Sequence, residues 1–323
     1  MKKTRKAENE FGVIGLGRMG GNLSLQALKK GMRVAGFTLE GPPPELVKSG
    51  LVEVKQVKDF SSALSGPRAV FLYVPAGPAV DLLIEELGTA LSAGDVVVDG
   101  GNSYWGDSIR RHGRLKKRGI HFVDLGTSGG VSGAMNGACF MAGGEEPGLS
   151  RVEAILKEMA VPDGYVRAGP PGSGHFAKLV HNGIEFGMLQ AIGEGIDLLE
   201  HYREKLNVAE ILRSWRHGSV IRSWLVDLMH EAYQKEGGLA DVPGYVEDTG
   251  EVNWLVADAL RMEVPIPVIS QAAMQLFASR DQKKNWARAV NMMRRGFGGH
   301  PYGPSEPVRR ERREGRVGEF PRD

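Results

Sequence analysis

A glycine-rich turn between a buried strand and a helix constrains the fold of this chain most strongly. The segment FGVIGLG (11–17) has the length and apolar character of a strand, and a helical stretch at 18–30 follows it. In this context GxGxxG is a dinucleotide pattern: its glycines permit a tight turn, the approach of a pyrophosphate and close helix–strand packing. An ordinary glycine turn is the alternative, since the chain contains 45 glycines. The predicted cofactor loop comprises Gly15, Leu16, Gly17, Arg18, Met19 and Gly20.

Strand and helix patterns alternate over the first half of the chain. Further strands are predicted at 32–38, 69–75, 95–101 and 121–126, with helical stretches between them. Buried runs such as VVV separated by helices indicate a doubly wound, mostly parallel sheet. The sequence therefore predicts an α/β Rossmann domain over residues 1–170.

Strand signals stop near residue 170, at the Pro/Gly cluster 168–174. Helical runs follow at 174–200, 208–234, 252–262, 267–279 and 281–295, which predicts an all-helical second domain over 171–301. The last segment, 302–323, is rich in Pro, Arg and Glu, and this composition predicts a disordered tail.

Composition excludes several classes of protein. A net charge of +2 indicates no nucleic-acid partner, and Cys139, the single cysteine of the chain, excludes an internal disulfide and fits a reducing compartment. The N-terminus lacks the apolar region of a signal peptide, and no run of about 18 apolar residues suggests a membrane span. These features predict a soluble, cytoplasmic protein with no membrane partner, and the sequence indicates no metal site.

The end of the second strand bears on the identity of the cofactor. An acidic residue there would accept the ribose 2′-hydroxyl of NAD, and an Arg would hold the 2′-phosphate of NADP. This chain has Thr38 at that position, and Glu40 two residues later would repel a phosphate. NAD is therefore favoured over NADP, while a deazaflavin (F420) acceptor stays open.

Four polar residues lie on one face of the apolar segment 174–195. Lys178, His181, Asn182 and Glu185 follow the i, i+3, i+4, i+7 rows of a helix, within an arc of roughly 100°. A helix that is apolar almost all round is expected inside a protein, where these groups must be paired or face a ligand. The pattern favours catalysis; a solvated stripe or a structural ion pair is the alternative.

Two small-residue loops follow predicted strands, as ligand-binding loops do in open α/β sheets. Asp99-Gly-Gly-Asn102-Ser103 follows the VVV strand, and residues 126–133 follow the next strand. Either loop alone could be a turn, but both together predict a binding crevice.

These motifs resemble the decarboxylating 6-phosphogluconate dehydrogenase family in its short bacterial form. The matching segments are IGLGRMGGNL, VPAG, DGGNS, GTSGGVSG, GHFAKLVHNGIEFG and FGGH, and they span nearly residues 11–302. The resemblance implies oxidation of a sugar acid, a substrate and dimerisation role for the helical domain, and a homodimer with shared active sites.

The resemblance also implies roles for individual residues. Lys178 matches the general base, Glu185 the acid that protonates C1 of the enediol, and Asn182 a third catalytic position. Expected substrate contacts are Asn102, Ser132, Gly133, Lys178, His181, Asn182 and Glu185, with Arg294 and His300 reaching the partner's site. Expected cofactor contacts beyond the glycine loop are Thr38, Val74, Pro75, Ala76 and Asn102.

The chain departs from the family pattern where the phosphate of the substrate is expected. Phe186 replaces a Tyr, Asn253 replaces a basic residue, and Leu276 replaces an Arg, with Arg280 one turn later. Two alternatives to a 6-phosphogluconate dehydrogenase follow: a dehydrogenase of a related sugar acid without that phosphate, and a silent dinucleotide-binding regulator.

Overall fold

The first half of the chain folds as alternating strands and helices in the computed structural model, which describes residues 9–314. Its elements, in chain order, are β1 (Glu10–Ile14), α1 (Arg18–Lys29), β2 (Arg33–Phe37), α2 (Pro44–Lys48), β3 (Val52–Glu53), a 3-10 turn (Val57–Asp59), α3 (Phe60–Ala63), β4 (Ala69–Leu72), α4 (Pro78–Ala90), β5 (Val96–Asp99), α5 (Trp105–Lys116), β6 (His121–Ser128), α6 (Gly130–Asn136), β7 (Ala138–Gly144), α7 (Glu146–Met159) and β8 (Ala160–Gly169).

The strands form a single sheet in the order β3-β2-β1-β4-β5-β6-β7-β8. Neighbouring strands are parallel except for β6 and β7, so the predicted doubly wound, mostly parallel sheet is confirmed. The chain order reverses on the two sides of β1, and open α/β sheets bind ligands beyond the carboxyl ends of strands at such a point. The sequence did not predict β3, β7 or β8.

The sheet buries apolar side chains on both faces. Val96 and Val98 contribute to the core on one side of the sheet, while Val97 contributes to the core on the other. Because successive side chains of a strand point to opposite faces, the VVV run fills both layers. Helices cover each face, as the continuous apolar run predicted.

The second half of the chain is helical, as predicted. Its helices are α8 (Ser173–Glu200), α9 (Val208–Trp215), α10 (Trp224–Glu236), α11 (Glu251–Arg261), α12 (Pro267–Arg280), α13 (Asn285–Gly298) and α14 (Glu306–Glu314). The predicted helix 208–234 is wrong, because the chain leaves the helix at Arg216 and α10 begins after a new N-cap, Ser223, which accepts from Val226 N at 3.3 Å. Gly218, at φ +71°, lies in this break.

The expectation that α8 is buried all round is also wrong. Ile184, Met188 and Leu189 are 52%, 41% and 47% exposed. Helix α13 is more open still, with Trp286 at 68% and Phe297 at 77% exposure. An apolar pattern indicates which helix faces are expected to be buried. It does not indicate whether they are buried by the same chain or by a second one.

The described part of the C-terminal tail includes one helix, and the disorder of 302–323 stays a prediction. Helix α14 occupies 306–314, where Arg309 lies 3.7 Å from Glu306 one turn earlier. Arg and Glu have high helix propensity and pair at this spacing, which offsets the lack of apolar residues. Residues 315–323 lie outside the described residues. Within 9–314, no helix is long and apolar enough to cross a bilayer.

Candidate active site

The predicted glycine loop lies directly after β1 and starts α1. Gly15 has φ +91°, and a Cβ there would lie 2.3 Å from the carbonyl oxygen of Tyr73; a Cβ on Gly20 would lie 2.0 Å from that of Gly15. These two glycines are required by the fold itself. At Gly17, by contrast, a Cβ would have no neighbour within 4 Å.

Gly17 therefore faces open space at the first turn of α1, which begins with no side-chain cap. The free N–H groups and the positive end of the helix dipole at such a start fit an anion such as a pyrophosphate. The loop thus fits the dinucleotide that the sequence predicts.

The other predicted cofactor residues lie at the same edge of the sheet. Thr38 follows β2 directly, and Leu39 and Glu40 after it are exposed. Residues 74–76 follow β4, whose neighbour is β1, and Asn102 follows β5. The carboxyl ends of these adjacent strands bring the predicted cofactor contacts together.

The loop after β5 is held by the fully buried carboxylate of Asp99. Its Oδ2 accepts from Ser103 Oγ at 2.7 Å, and its Oδ1 accepts from Gly101 N at 3.2 Å. Arg111, which is also fully buried, donates to Asp99 at 3.3 Å and to the Gly77 carbonyl at 3.1 Å. One guanidinium therefore ties the loop after β4 to the loop that carries Asn102.

Helix α8 starts against the sheet because Asp124 caps it. The carboxylate oxygens of this buried residue accept from Gly172 N at 2.7 Å and His175 N at 2.9 Å. Small residues permit the approach: a Cβ on Gly174 would lie 2.4 Å from the Asp124 carbonyl oxygen, and one on Gly126 would lie 2.7 Å from Lys178 Cβ. This packing sets the position of Lys178 relative to the strand ends.

Lys178 is buried, with 8% of its surface exposed. Burial lowers its pKa from the ordinary lysine value. The negative charges of Glu185, Cys139 and Glu251 raise the pKa but do not cancel this effect. Its Nζ lies 3.5 Å from His181 Nδ1, and His181 Nε2 is 2.9 Å from Ser128 Oγ at the end of β6. A lysine with a lowered pKa that is held in this way can serve as a general base.

A small cleft opens in front of Lys178. Its walls come from the loop after β5, from α8 and from the start of α11, and its lining residues are Asn102, Ser103, His175, Lys178, Leu179, Asn182, Glu251 and Trp254. Asn102 Nδ2 donates to Glu251 Oε1 at 3.2 Å across this cleft. The predicted residues Asn102, Lys178 and Asn182 therefore share one cleft.

The other polar residues of the α8 stripe lie beside this cleft. The side chains of His181 and Glu185 are 39% and 40% exposed, and Glu185 Oε2 lies 3.8 Å from His181 Nδ1. The expectation that all four groups are buried together is therefore wrong. Of the four, only Lys178 is buried, where α8 packs against the sheet.

The remaining predicted substrate residues do not line the cleft. Ser132 and Gly133 are in α6 after β6, and Ser132 is exposed. Arg294 and His300 lie at the end of α13, where Arg294 Nη2 and His300 Nδ1 are 3.5 Å apart. Neither of these two residues is among those that line the cleft around Lys178 in the described part of the chain.

Several residues of the cleft were not predicted from the sequence. His175, Glu251 and Trp254 line it beside Ser103 of the predicted loop, and Asp258 supports it by accepting from Tyr104 Oη at 3.0 Å and Trp105 Nε1 at 2.7 Å. His175 had a signal, since it precedes Lys178 by three residues on the same helical row. Glu251 and Asp258 had none, because α11 meets the loop after β5 only in the folded chain.

The glycines of α8 serve helix packing. A Cβ on Gly183 would lie 2.4 Å from Leu255 Cδ2 of α11, and one on Gly187 would lie 3.4 Å from Val268 Cγ1 of α12. Helices α11 and α12 therefore fill the space beside these two glycines.

Comparison with known proteins agrees with this architecture over most of the chain. Residues 10–168 match the NAD binding domain of 6-phosphogluconate dehydrogenase, and residues 174–294 match the C-terminal domain of 6-phosphogluconate dehydrogenase. The chain belongs to the 6-phosphogluconate dehydrogenase family.

Two relatives of this family match over nearly their whole length. The NAD(+)-dependent, decarboxylating 6-phosphogluconate dehydrogenase of Haloferax volcanii is 38% identical, over 90% of this chain and 97% of its own. A Bacillus subtilis protein, YqeC, named as a candidate 6-phosphogluconate dehydrogenase, is 40% identical over 90% of this chain and 98% of its own.

A solved structure of the family has the same fold. Plasmodium falciparum 6-phosphogluconate dehydrogenase, solved in its apo form, with its cofactor NADP+ and with its substrate 6-phosphogluconate, superimposes with a TM-score of 0.76 at 26% identity. The similarity covers 92% of this chain and 67% of that one.

The positions that depart from the 6-phosphogluconate dehydrogenase pattern leave the cleft with few cations. Arg280 donates to Asp248 at 2.6 Å and Glu247 at 3.0 Å, so its charge is engaged by two carboxylates. Asn253 is exposed at the start of α11. Among the described residues, Lys178 is the one cationic side chain that lines the cleft.

Proposed function

We propose that this chain catalyses the NAD-dependent oxidative decarboxylation of 6-phospho-D-gluconate to ribulose 5-phosphate and CO2. The observation that carries the proposal is a buried lysine with a lowered pKa, in a cleft that it shares with Asn102 of the loop after β5. Membership of the 6-phosphogluconate dehydrogenase family supports the reaction, because the Haloferax relative is named for it.

In the proposed reaction, neutral Lys178 takes the proton of the C3 hydroxyl. A bound nicotinamide supplies the hydride acceptor, so C3 is oxidised to a ketone. The neutral amine is available because burial lowers the pKa of Lys178. A general base of this kind contributes about 10²- to 10⁴-fold to the rate.

The 3-keto acid then loses CO2 and leaves an enediol. As CO2 leaves, protonated Lys178 returns its proton to the C3 oxygen. Glu185 then gives a proton to C1 of the enediol, which is C2 of the gluconate, while neutral Lys178 takes the hydroxyl proton of the former C3 again, and the ketose forms. Glu185 sits beside His181 and is part-exposed, so solvent can restore its proton after each turnover. Asn182 lines the cleft and is assigned to orient the substrate.

NAD is the proposed acceptor. Glu40, exposed after β2, would repel a 2′-phosphate, and Thr38 can accept or donate only a weak hydrogen bond to the ribose. The Haloferax relative is named as NAD(+)-dependent, whereas the Plasmodium structure contains NADP+. A deazaflavin acceptor is the second candidate, favoured by the absence of an acidic residue at Thr38.

A second subunit is proposed to complete the substrate site. Lys178 is the one described cation in the cleft, and a phosphorylated sugar acid carries two anionic groups. The exposed apolar residues of α8 and α13 need cover, and α13 ends near Arg294 and His300. In a homodimer, these two residues would enter the partner's cleft and bind the phosphate by charge-assisted hydrogen bonds.

The proposal is tested by a reduction assay that crosses NAD, NADP and F420 with 6-phosphogluconate and gluconate. The expected result is reduction of NAD with 6-phosphogluconate and release of one CO2 per hydride. Faster turnover of gluconate would favour the sugar acid without phosphate. Cofactor binding without turnover in every combination would favour the silent regulator and overturn the proposal.

A further inference from the structure

The geometry points to His175 as a substrate-binding residue whose Nε2 holds a hydroxyl of the sugar acid, next to the hydroxyl that Lys178 deprotonates. This inference rests on the proposed function, since it names the ligand of the same cleft. Its evidence is the position and hydrogen bonding of His175 itself.

His175 is almost completely buried, with 2% of its surface exposed. One ring nitrogen, Nδ1, is 2.6 Å from Ser108 Oγ of α5. The other, Nε2, is buried and has no hydrogen-bond partner within residues 9–314. Buried polar atoms in proteins are nearly always paired, so an unpaired one needs an explanation.

The cleft supplies that explanation. His175 lines it together with Lys178, Asn182 and Asn102. His175 and Lys178 are three residues apart on α8, so their side chains are neighbours on one helical face, about 5–6 Å apart at Cβ. Two such side chains can contact different oxygen atoms of one small ligand.

A hydroxyl is the ligand group that fits this nitrogen in either tautomer of the ring. Ser108 Oγ also lies 3.4 Å from the Tyr104 carbonyl, to which it can donate; Nδ1 then carries the proton and Nε2 is an acceptor. If Ser108 donates to Nδ1 instead, Nε2 carries the proton and is a donor. A hydroxyl can both donate and accept, whereas a carboxylate pairs only with the second tautomer.

The contacts of His175 also hold its ring in place. Asp124 accepts from its backbone N at 2.9 Å, and Trp105 packs edge-on against the adjacent Phe176, with ring centroids 5.9 Å apart. These contacts fix the backbone around His175, and the contact of Nδ1 with Ser108 Oγ fixes the ring before the ligand binds, so binding loses little side-chain freedom.

Two amide variants separate the roles of the ring nitrogens. In His175→Gln the amide reaches about as far as Nε2, and in His175→Asn only as far as Nδ1. We expect His175→Asn to weaken binding of 6-phosphogluconate about tenfold, or about 1.4 kcal/mol, and His175→Gln to retain most of it. NAD affinity should stay unchanged in both, measured by calorimetry on each variant below its melting temperature.

The opposite order would overturn the inference, because a purely structural histidine needs the Nδ1 contact to Ser108 and is better replaced by Asn. Equal 6-phosphogluconate affinities in both variants, or a change confined to NAD, would also overturn it. If the wild type binds no sugar acid, the proposed function itself fails. If the wild type binds 6-phosphogluconate but the variants show the wrong order, only the inference about His175 fails.

A measurement on the unaltered protein gives a second test, should either variant fail to fold. In protein labelled with ¹⁵N-histidine, 6-phosphogluconate should shift the Nε2 resonance of His175 and leave its Nδ1 resonance nearly unchanged. The absence of an Nε2 shift at saturating ligand would exclude the contact.

Discussion

Removal of the Asp124 carboxylate should weaken the fold and the active site together, because this side chain caps the helix that carries Lys178. Asp124 is fully buried and accepts from Gly172 N and His175 N at 2.7 and 2.9 Å. Hydrogen bonds to charged groups contribute about 1.5–3 kcal/mol each, so the two together give roughly 3–6 kcal/mol. The cost of burying the carboxylate offsets part of this sum.

We therefore expect Asp124→Ala to lower the free energy of unfolding by about 2–4 kcal/mol, above the range of about 0.5–2 kcal/mol for an ordinary helix cap. A shift of about 1 Å at the start of α8 should also reduce kcat/KM by about 10²-fold. Urea unfolding and initial-rate assays measure the two effects on the same preparation.

Asn207→Ala is the matched control. Asn207 caps α9 with a single neutral hydrogen bond, from Glu210 N at 3.3 Å, and α9 carries no residue assigned to the cleft. Its loss should cost about 1 kcal/mol and leave kcat/KM unchanged. If Asp124→Ala costs no more than this control, or keeps full activity, the reasoning about the α8 cap is refuted.

Five further predictions concern the proposed chemistry and assembly. Lys178→Met should lower turnover by at least about 10²-fold with unchanged NAD binding. The pKa of Lys178 is lower in the folded chain than in the unfolded chain. At neutral pH the charged lysine therefore lowers the free energy of unfolding, and Lys178→Met should also melt at a higher temperature. In the wild type, kcat/KM should fall as the pH drops through that lowered pKa; a flat acid limb would contradict Lys178 as the base. Glu185→Gln should slow ketose formation and release 3-keto acid, detected by mass spectrometry, whereas an unchanged product mixture would make Glu185 structural. Thr38→Asp should lower the KM for NAD, and tighter NADP binding would contradict the position assigned to the ribose. Mixing Arg294→Ala with Lys178→Met subunits should restore activity in mixed dimers, up to half per dimer; no recovery despite subunit exchange would remove Arg294 from the partner's site.

The sequence predicted those parts of the fold whose signals are local. The glycines after β1 and the VVV run of β5 identified the parallel sheet, because backbone conformation and two-sided burial leave direct traces in composition. Strands β7 and β8 were missed, since ACFMAGG and AVPDGYVRAG carry Gly and Pro that read as loop. They are strands because they pair with β6 and with each other at the edge of the sheet.

The sequence predicted those site residues that lie together on one secondary-structure element. Lys178, His181, Asn182 and Glu185 were visible as one helical row, whereas Glu251 joins Asn102 only through the packing of α11 against the loop after β5. Burial along α8 was not predictable either, because the same apolar pattern serves a core or an interface between subunits.

The hydrogen bonds of Asp258 bear on how the two domains come apart. This buried carboxylate on α11 binds Tyr104 and Trp105 at the start of α5, and Asp124 of the sheet caps the first helix of the second domain. Only residues 170–172 separate β8 from α8. Opening either domain therefore exposes polar groups of the other, so heating should produce one calorimetric transition for the subunit, without a state in which the Rossmann domain survives alone.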